Sequence, residues 1–473
     1  MRHQRREKGN VGDGAANVGV LKPAIEPFDR IFFRSFLISE GPEGLTCCTK
    51  AIYRRLMTDS PPLASGRPWK SNWRHFTAVA GPGIVVMLAD TDAGSIITAA
   101  QSGAEWGYQL LLVQLILVPI LYMVQELTVR LGIVSGKGHA ELIKEHFGRG
   151  WAWLSVATLV LACVGALLTE LSGLAGVGSL FGVPKPVTML LVLAALTFMA
   201  YKGSYITVER IAIAVGAFEL VFLAVAWQAH PDLKAIAAGS LDIAWREPKY
   251  LYLVAANIGA VIMPWMVFYQ QSAIAEKKLS TADLPAARLD TAFGATLTQI
   301  IMAAVLTVTA ATLSGTTQTG SLETVQQIAE SITPYLGDTT GRLLFAVGLS
   351  GSAIVATIVV TLTAARTVSE VLGVKHSLEH EPNEAPWFYG IYVATLVAGA
   401  LLIISGVNLV SLSVGVQVMN ALLLPIVLGF LYLLARRLPP DYRLRGPYAA
   451  VVAIVITATV LFAVYSGCAG LWG

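Results

Sequence analysis

The sequence predicts an all-α integral membrane protein of about eleven transmembrane helices. They form two five-helix halves in inverted repeat, with the first and sixth helices unwound, followed by one further helix. Three observations predict this. Of the 473 residues 55% are hydrophobic and only 13% charged, about half the charge of an ordinary soluble protein. Apolar stretches of about twenty residues, the length needed to cross hydrocarbon, recur along most of the chain. The first and the sixth of these are interrupted by Gly, Pro and polar residues, a pairing that points to a substrate site at the interface of inverted repeats.

Residues 1–72 are polar, basic and rich in Gly and Pro without sustained periodicity, and are expected to be a disordered cytoplasmic tail. The run FFRSFLI at 32–38 is too short for a signal-peptide core with a clean cleavage site. Residues 73–473 then form the membrane domain. Its expected spans are 76–104, 107–131, 151–179, 185–201 and 208–228 in the first repeat, 249–273, 288–313, 340–371, 386–405 and 408–435 in the second, and 447–470 as the eleventh. Between the second and third spans, GKGHAELIKEHFG reads as a short interfacial helix.

Lys and Arg cluster in alternate connections: the tail, 130–149, 202–210, 276–288, 366–375 and 436–445. By the positive-inside rule the N-terminus is cytoplasmic and, with an odd number of spans, the C-terminus external; the expected location is a prokaryotic plasma membrane. The net charge of +3 is dispersed between apolar runs, so the lipid bilayer and not nucleic acid is the implied partner. Four cysteines, Cys47, Cys48, Cys163 and Cys468, show no metal-ligand spacing and read as ordinary thiols. No soluble domain of useful size remains for an enzyme, and no cofactor is expected.

The stretch LADTDAGSIIT at 88–98 places Asp90 and Asp92 within the first span. An unpaired carboxylate at the bilayer centre costs about 2.5–3.5 kcal/mol on insertion scales, so its retention points to function. On an intact helix the two would diverge by about 200°, whereas in an unwound stretch both can face one cavity. Asp92 is the preferred ligand because it adjoins Gly94, where the backbone opens most easily, and Ser95, whose hydroxyl can also coordinate; Asp90 is assigned to its surroundings. In the sixth span, GAVIMPW, Pro264 lacks an N–H, so the carbonyl of Ala260 loses its helical partner. Met263 beside it offers a soft thioether. Carboxylate, hydroxyl, carbonyl and thioether together suit a divalent cation tolerant of softness, such as Mn²⁺ or Fe²⁺, better than Ca²⁺.

At these residues the sequence resembles the NRAMP family of divalent-metal transporters. GPGIVVMLADTDAGSIITAAQSGAEWGY resembles the family's first span, with its Asp-Pro-Gly-Asn motif, and GAVIMPWMVFYQQSA resembles the sixth-span motif GA-x-x-MPH. QELTVRLGIVSGKGHAELI resembles the segment that follows the second span. The resemblance implies the LeuT-like fold and import of Mn²⁺, Fe²⁺ or related ions, often coupled to protons. It places Asp92 at the metal-binding aspartate, Ser95 at the asparagine ligand, Ala260 at the carbonyl ligand and Met263 at the thioether ligand. The departures are specific. Ala93 replaces the motif proline, which makes the first break less obligatory; Trp265 replaces the motif histidine; and Gln270 stands where a second histidine is usual. LLTELSGLAG keeps one acidic position of the third span as Glu170 but has Gly173 at the other, and the ninth span lacks the family's arginine. Proton-handling groups are thus absent together, which argues against proton coupling.

Glu170 either hydrogen-bonds a neighbouring helix or serves a proton or ion pathway; Gln417 and Asn420 in the tenth span are placed near the cavity. Arg366 and Glu370 read as interfacial charges, and His376 and His380 as part of a solvated acidic loop with Glu379, Glu381 and Glu384. A magnesium carrier related to NRAMP is the alternative within the class. An amino-acid or organic-cation carrier on the same fold is the alternative outside it, although an ionised Asp92 would repel substrate carboxylates. A membrane sensor that binds metal without moving it finds no signalling domain in the chain.

Overall fold

The computed structural model describes residues 79–473 except 203–204, 314–321, 323, 333–336, 376, 379, 406–408 and 473. The tail, Cys47, Cys48, His376 and Glu379 lie outside the described residues. The first span consists of two half-helices, α1 (Pro82–Asp90) and α2 (Ala93–Trp106), bent by 47° at a two-residue break. The second span is α3 (Leu111–Ser135), followed by the short α4 (His139–Phe147), the third span α5 (Arg149–Leu180) and the fourth α6 (Lys185–Lys202). The fifth comprises α7 (Tyr205–Gly216), a 3₁₀ turn at Ala217–Leu220 and α8 (Val221–Ala229). After a short helix α9 (Leu233–Leu241), the sixth span is again broken, into α10 (Pro248–Val261) and α11 (Pro264–Glu276). Then come α12 (Leu284–Leu313), the short α13 (Val325–Ile332), α14 (Asp338–Leu372), α15 (Pro386–Ile404), α16 (Leu409–Ala435) and α17 (Gly446–Trp472).

Among the described residues eleven spans, the bent pair counted as one, stand where the hydropathy pattern places them, and in the fourth, fifth, ninth and eleventh fewer than half of the residues are buried. The first and the sixth are the most enclosed. Helices α9 and α13 are additions, since nine and eight residues fall below spanning length.

The contacts between helices come in pairs, as an inverted repeat requires. The third span packs on the eighth, its own counterpart; the first on the seventh as the sixth on the second; the sixth on the tenth as the first on the fifth. This is the LeuT-like architecture, and it leaves both broken spans at the centre.

The breaks have local causes. Pro264 and Pro82 each stand at the first position of a half-helix, where the missing N–H costs nothing. The first break corrects two expectations. Gly94 lies inside α2, and the helix opens earlier, at Thr91–Asp92, with Asp92 as an extended N-cap at φ −71°, ψ 170°. The motif proline is not needed, because Asp92 caps the new helix with its own carboxylate. Gly94 instead admits a neighbour: a Cβ there would lie 2.6 Å from Gln417 Nε2.

One end of the bundle is cross-linked by charge. Asp290 accepts from the Gly81 and Gly83 N–H groups at 3.3 and 2.8 Å, capping α1 from the seventh span. Lys277 donates to the Ala80 carbonyl and to Glu209, and buried Glu126 receives both Arg130 and Arg288. Arg366 and Glu370 sit in this layer and are not interfacial as expected. Arg366 pairs with Glu276, and Glu370, 8% exposed, accepts from Ser272. The small residues Gly138 and Ser272 let helices close over Glu370 and exclude it from water.

In the short α4, His139 is fully buried on the ring of Phe268 and shares a 2.8 Å hydrogen bond with Gln271. Burial pushes its pKa down to about 4.

Candidate metal site

The two breaks meet at the centre of the bundle. Asp92, at 0% exposure, uses Oδ1 to accept the Ser95 N–H at 2.6 Å, one of the unpaired donors at the start of α2. Its second oxygen, Oδ2, receives no N–H or hydroxyl donor, and the Glu170 carboxyl lies within hydrogen-bonding reach of the Asp92 side chain. The Ser95 hydroxyl donates to the Ala260 carbonyl at 3.1 Å. That is the carbonyl that Pro264 deprives of its helical partner, so the two broken spans are joined through the group their breakage exposes. Met263 is the extended N-cap of α11, 0% exposed, two positions beyond the end of α10. Met263 thus stands in the break itself.

Gln417 closes the site from the tenth span. Its Oε1 accepts from Asn420 at 2.9 Å while Nε2 faces Gly94 without a partner. The approach is close because Gly259 has no side chain: a Cβ there would lie 1.8 Å from the Gln417 carbonyl oxygen.

Glu170 hydrogen-bonds a neighbouring helix. Its Oε2 accepts the Ala93 N–H at 3.1 Å and its Oε1 the Thr169 hydroxyl at 3.0 Å. With Asp92 it thus satisfies two orphan donors of α2, and it stands beside the site as a support. Trp265 is fully buried next to Met263, its indole N–H unpartnered, and fills the volume there. Gln270 bonds away from the junction. It lies seven residues along α11, about 10 Å by helical rise, and donates to Thr291 at 2.9 Å. Asp90 ends α1 two residues before Asp92 and turns away toward the seventh span, where Gln299 approaches it at 3.5 Å.

The groups that meet at the junction are a carboxylate, a hydroxyl and a carbonyl, with Met263 in the break of the sixth span. No group of three or more His, Cys, Asp or Glu placed for a metal occurs among the described residues, so a zinc-type cage is not what this geometry offers. A single charged ligand with neutral donors suits an ion that must leave as readily as it enters.

Comparison with known proteins identifies the family. Residues 83–469 match the family described as Natural resistance-associated macrophage protein-like. The chain belongs to the Nramp family. Curated relatives include the divalent metal cation transporter MntH of Listeria welshimeri, 27% identical over 317 residues, covering 64% of this chain and 70% of that protein. The MntH of Deinococcus radiodurans is 30% identical over 299 residues, covering 59% and 67%. Among solved structures, the Eremococcus coleocola manganese transporter, in complex with an aromatic bis-isothiourea substituted compound, superposes with a TM-score of 0.69 at 18% identity, covering 87% of this chain and 90% of that one. A nucleobase-cation-symport-1 family transporter superposes with a TM-score of 0.55, covering 83% and 90%. These superpositions show the fold.

Within the Nramp fold, sequence reasoning passed over three polar groups near the junction: Thr298 and Gln299 on the seventh span and Glu219 on the fifth. Glu219 carried a usable signal, since a lone glutamate in the apolar run AFELVFLAV is costly without a role.

Proposed function

We propose that this chain is a secondary transporter that imports a divalent metal ion, Mn²⁺ or Fe²⁺, by alternating access, with the ion held at Asp92, Ser95, Ala260 and Met263. The observation that carries the reading is the fully buried Asp92 carboxylate at the meeting point of two broken spans, its Oδ2 without an N–H or hydroxyl donor and a second carboxyl, that of Glu170, beside it. A cation supplies the missing partner. The Met263 thioether favours Mn²⁺ or Fe²⁺ over Mg²⁺, which prefers oxygen ligands, and makes the magnesium reading the second choice. The relatives' names as divalent metal cation transporters support the same substrate class. An amino-acid carboxylate would meet Asp92 directly and be repelled.

Transport is independent of an obligatory proton in this reading. The histidines of the family motif are Trp265 and Gln270 here, and Glu170 is engaged by Ala93 and Thr169. A driving force remains, because each charge crossing 100 mV gains about 2.3 kcal/mol, or about 4.6 kcal/mol for a divalent ion. That sustains a gradient on the order of 10³-fold. With the N-terminus cytoplasmic, the charge-linked end containing Ala80, Lys277 and Asp290 is the inner end, closed in this structure.

The test is uptake of Mn²⁺ and Mg²⁺ into proteoliposomes with internal pH recorded, for wild type and Asp92→Ala. Mn²⁺ flux without internal acidification, lost in the variant, is expected. Undiminished flux in Asp92→Ala, or no flux of either ion in wild type, refutes the assignment.

A further inference from the structure

Glu219 lies in the 3₁₀ turn Ala217–Leu220 that interrupts the fifth span, at 0% exposure, and its carboxylate is approached by the Thr91 hydroxyl. Asp90, 1% exposed, is approached by Gln299 at 3.5 Å on Oδ2 and by the Thr298 hydroxyl. The two carboxylates lie within electrostatic range of each other, and the charged groups acting on either are other carboxylates, with no Lys, Arg or His. Between them stand two hydroxyls 2.5 Å apart, Thr91 on the Glu219 side and Thr298 on the Asp90 side.

The turn that carries Glu219 is held in place. Gly216 packs on Leu88 of the first span, and a Cβ on Gly351 of the eighth would lie 2.6 Å from the Val215 carbonyl. Close backbone packing on both sides keeps Glu219 from swinging out to lipid or water. Two buried carboxylates facing one another need compensating charge. The donors present are all oxygen, without the thioether that marks the neighbouring junction, and two negative charges match one divalent ion.

We propose that Asp90 and Glu219, with the hydroxyls of Thr91 and Thr298, form a second, all-oxygen cation site beside the Asp92 junction, taking a hard divalent ion of the Mg²⁺ or Mn²⁺ class. The site joins the first, fifth and seventh spans, and its occupancy ties the first half-helix to its neighbours. It rests on the transport reading only for the identity of the adjoining site. Mn²⁺ and Mg²⁺ separate the two sites by softness: both ions fit the oxygen site, while the thioether junction holds Mn²⁺ in preference.

The experiment counts bound Mn²⁺ on the full chain in nanodiscs, from the electron paramagnetic resonance signal of free Mn²⁺, with Mg²⁺ as competitor. Wild type should bind two Mn²⁺ per chain, one of them displaced by Mg²⁺. Glu219→Gln should bind one, resistant to Mg²⁺, and Asp92→Ala should bind one, displaced by it. Thr298→Val should keep both and weaken the Mg²⁺-sensitive one about tenfold. One Mn²⁺ in wild type, lost in Asp92→Ala and unchanged in Glu219→Gln and Thr298→Val, overturns the second site and leaves the transport reading standing. Two ions in Glu219→Gln, or loss of both in Glu219→Gln with Thr298→Val unchanged from wild type, also overturns it. No binding in wild type overturns both readings.

Discussion

Gly259→Ala tests whether the metal junction depends on a backbone contact between the sixth and tenth spans. A Cβ at Gly259 would lie 1.8 Å from the Gln417 carbonyl oxygen and 2.7 Å from the Ala421 nitrogen, both main-chain atoms that no rotamer change can move aside. Ordinary contact begins near 3.4 Å, so the two helices must part by about 1.6 Å at this level. Overpacking costs about 1–3 kcal/mol when side chains can yield, and a clash between helix backbones belongs at or above the top of that range. A loss of about 3 kcal/mol corresponds to a fall in melting temperature of roughly 5 °C or more. Function should suffer further, because the shift separates Gln417 and the adjacent Ala260 carbonyl from Asp92 and Ser95. The assay pairs thermal unfolding in detergent with Mn²⁺ uptake in proteoliposomes. Gly429→Ala serves as the control, on the same tenth span but with nothing within 4 Å of the added methyl. Gly259→Ala with wild-type melting and uptake would show that the helices do not approach as described.

Two further outcomes follow from the same physics. Met263→Ala removes the soft donor and should raise Mg²⁺ or Ca²⁺ uptake relative to Mn²⁺; an unchanged ion preference in competition assays would exclude the thioether from selection. His139 is held neutral by burial, its pKa about 4 against about 6.5 when unfolded. The unfolded chain therefore binds the extra proton first. The stability His139 contributes by staying neutral is complete above pH 6.5, declines as pH falls toward 4, and amounts to about 3 kcal/mol. Melting curves between pH 7.5 and 4.5 should lose that part of their slope in His139→Asn, and identical pH profiles for the two proteins would contradict it.

Much of the fold was legible in the chain. Eleven spans, the two broken ones among them, follow from hydrocarbon thickness and from the positions of Pro264 and the Asp90–Gly94 stretch. The short helices α9 and α13 were not legible, because eight or nine residues carry no spanning signal and their amphipathic pattern is local. Arg366 and Glu370 show the limit in another way. A charge near a span end looks interfacial in one dimension, yet Glu276, Ser272 and Gly138 enclose the pair from other elements.

By itself, the sequence determined which candidate donors stand at the two breaks: a carboxylate costly in hydrocarbon, a carbonyl freed by a proline, and a thioether beside it. These are properties of residue type and covalent structure, and Asp92, Ala260 and Met263 are identifiable from them. Tertiary structure alone decided which polar residues join that set and which leave it. The Ser95 hydroxyl meets the Ala260 carbonyl from 165 positions away, Glu170 is drawn off to cap α2, and Gln270 is carried about 10 Å down its helix. Only packing brings Glu219 beside Asp90. Pairings of this kind depend on helix crossings set by small residues such as Gly259 and Gly351, and a crossing angle is a relation between segments that no single segment encodes.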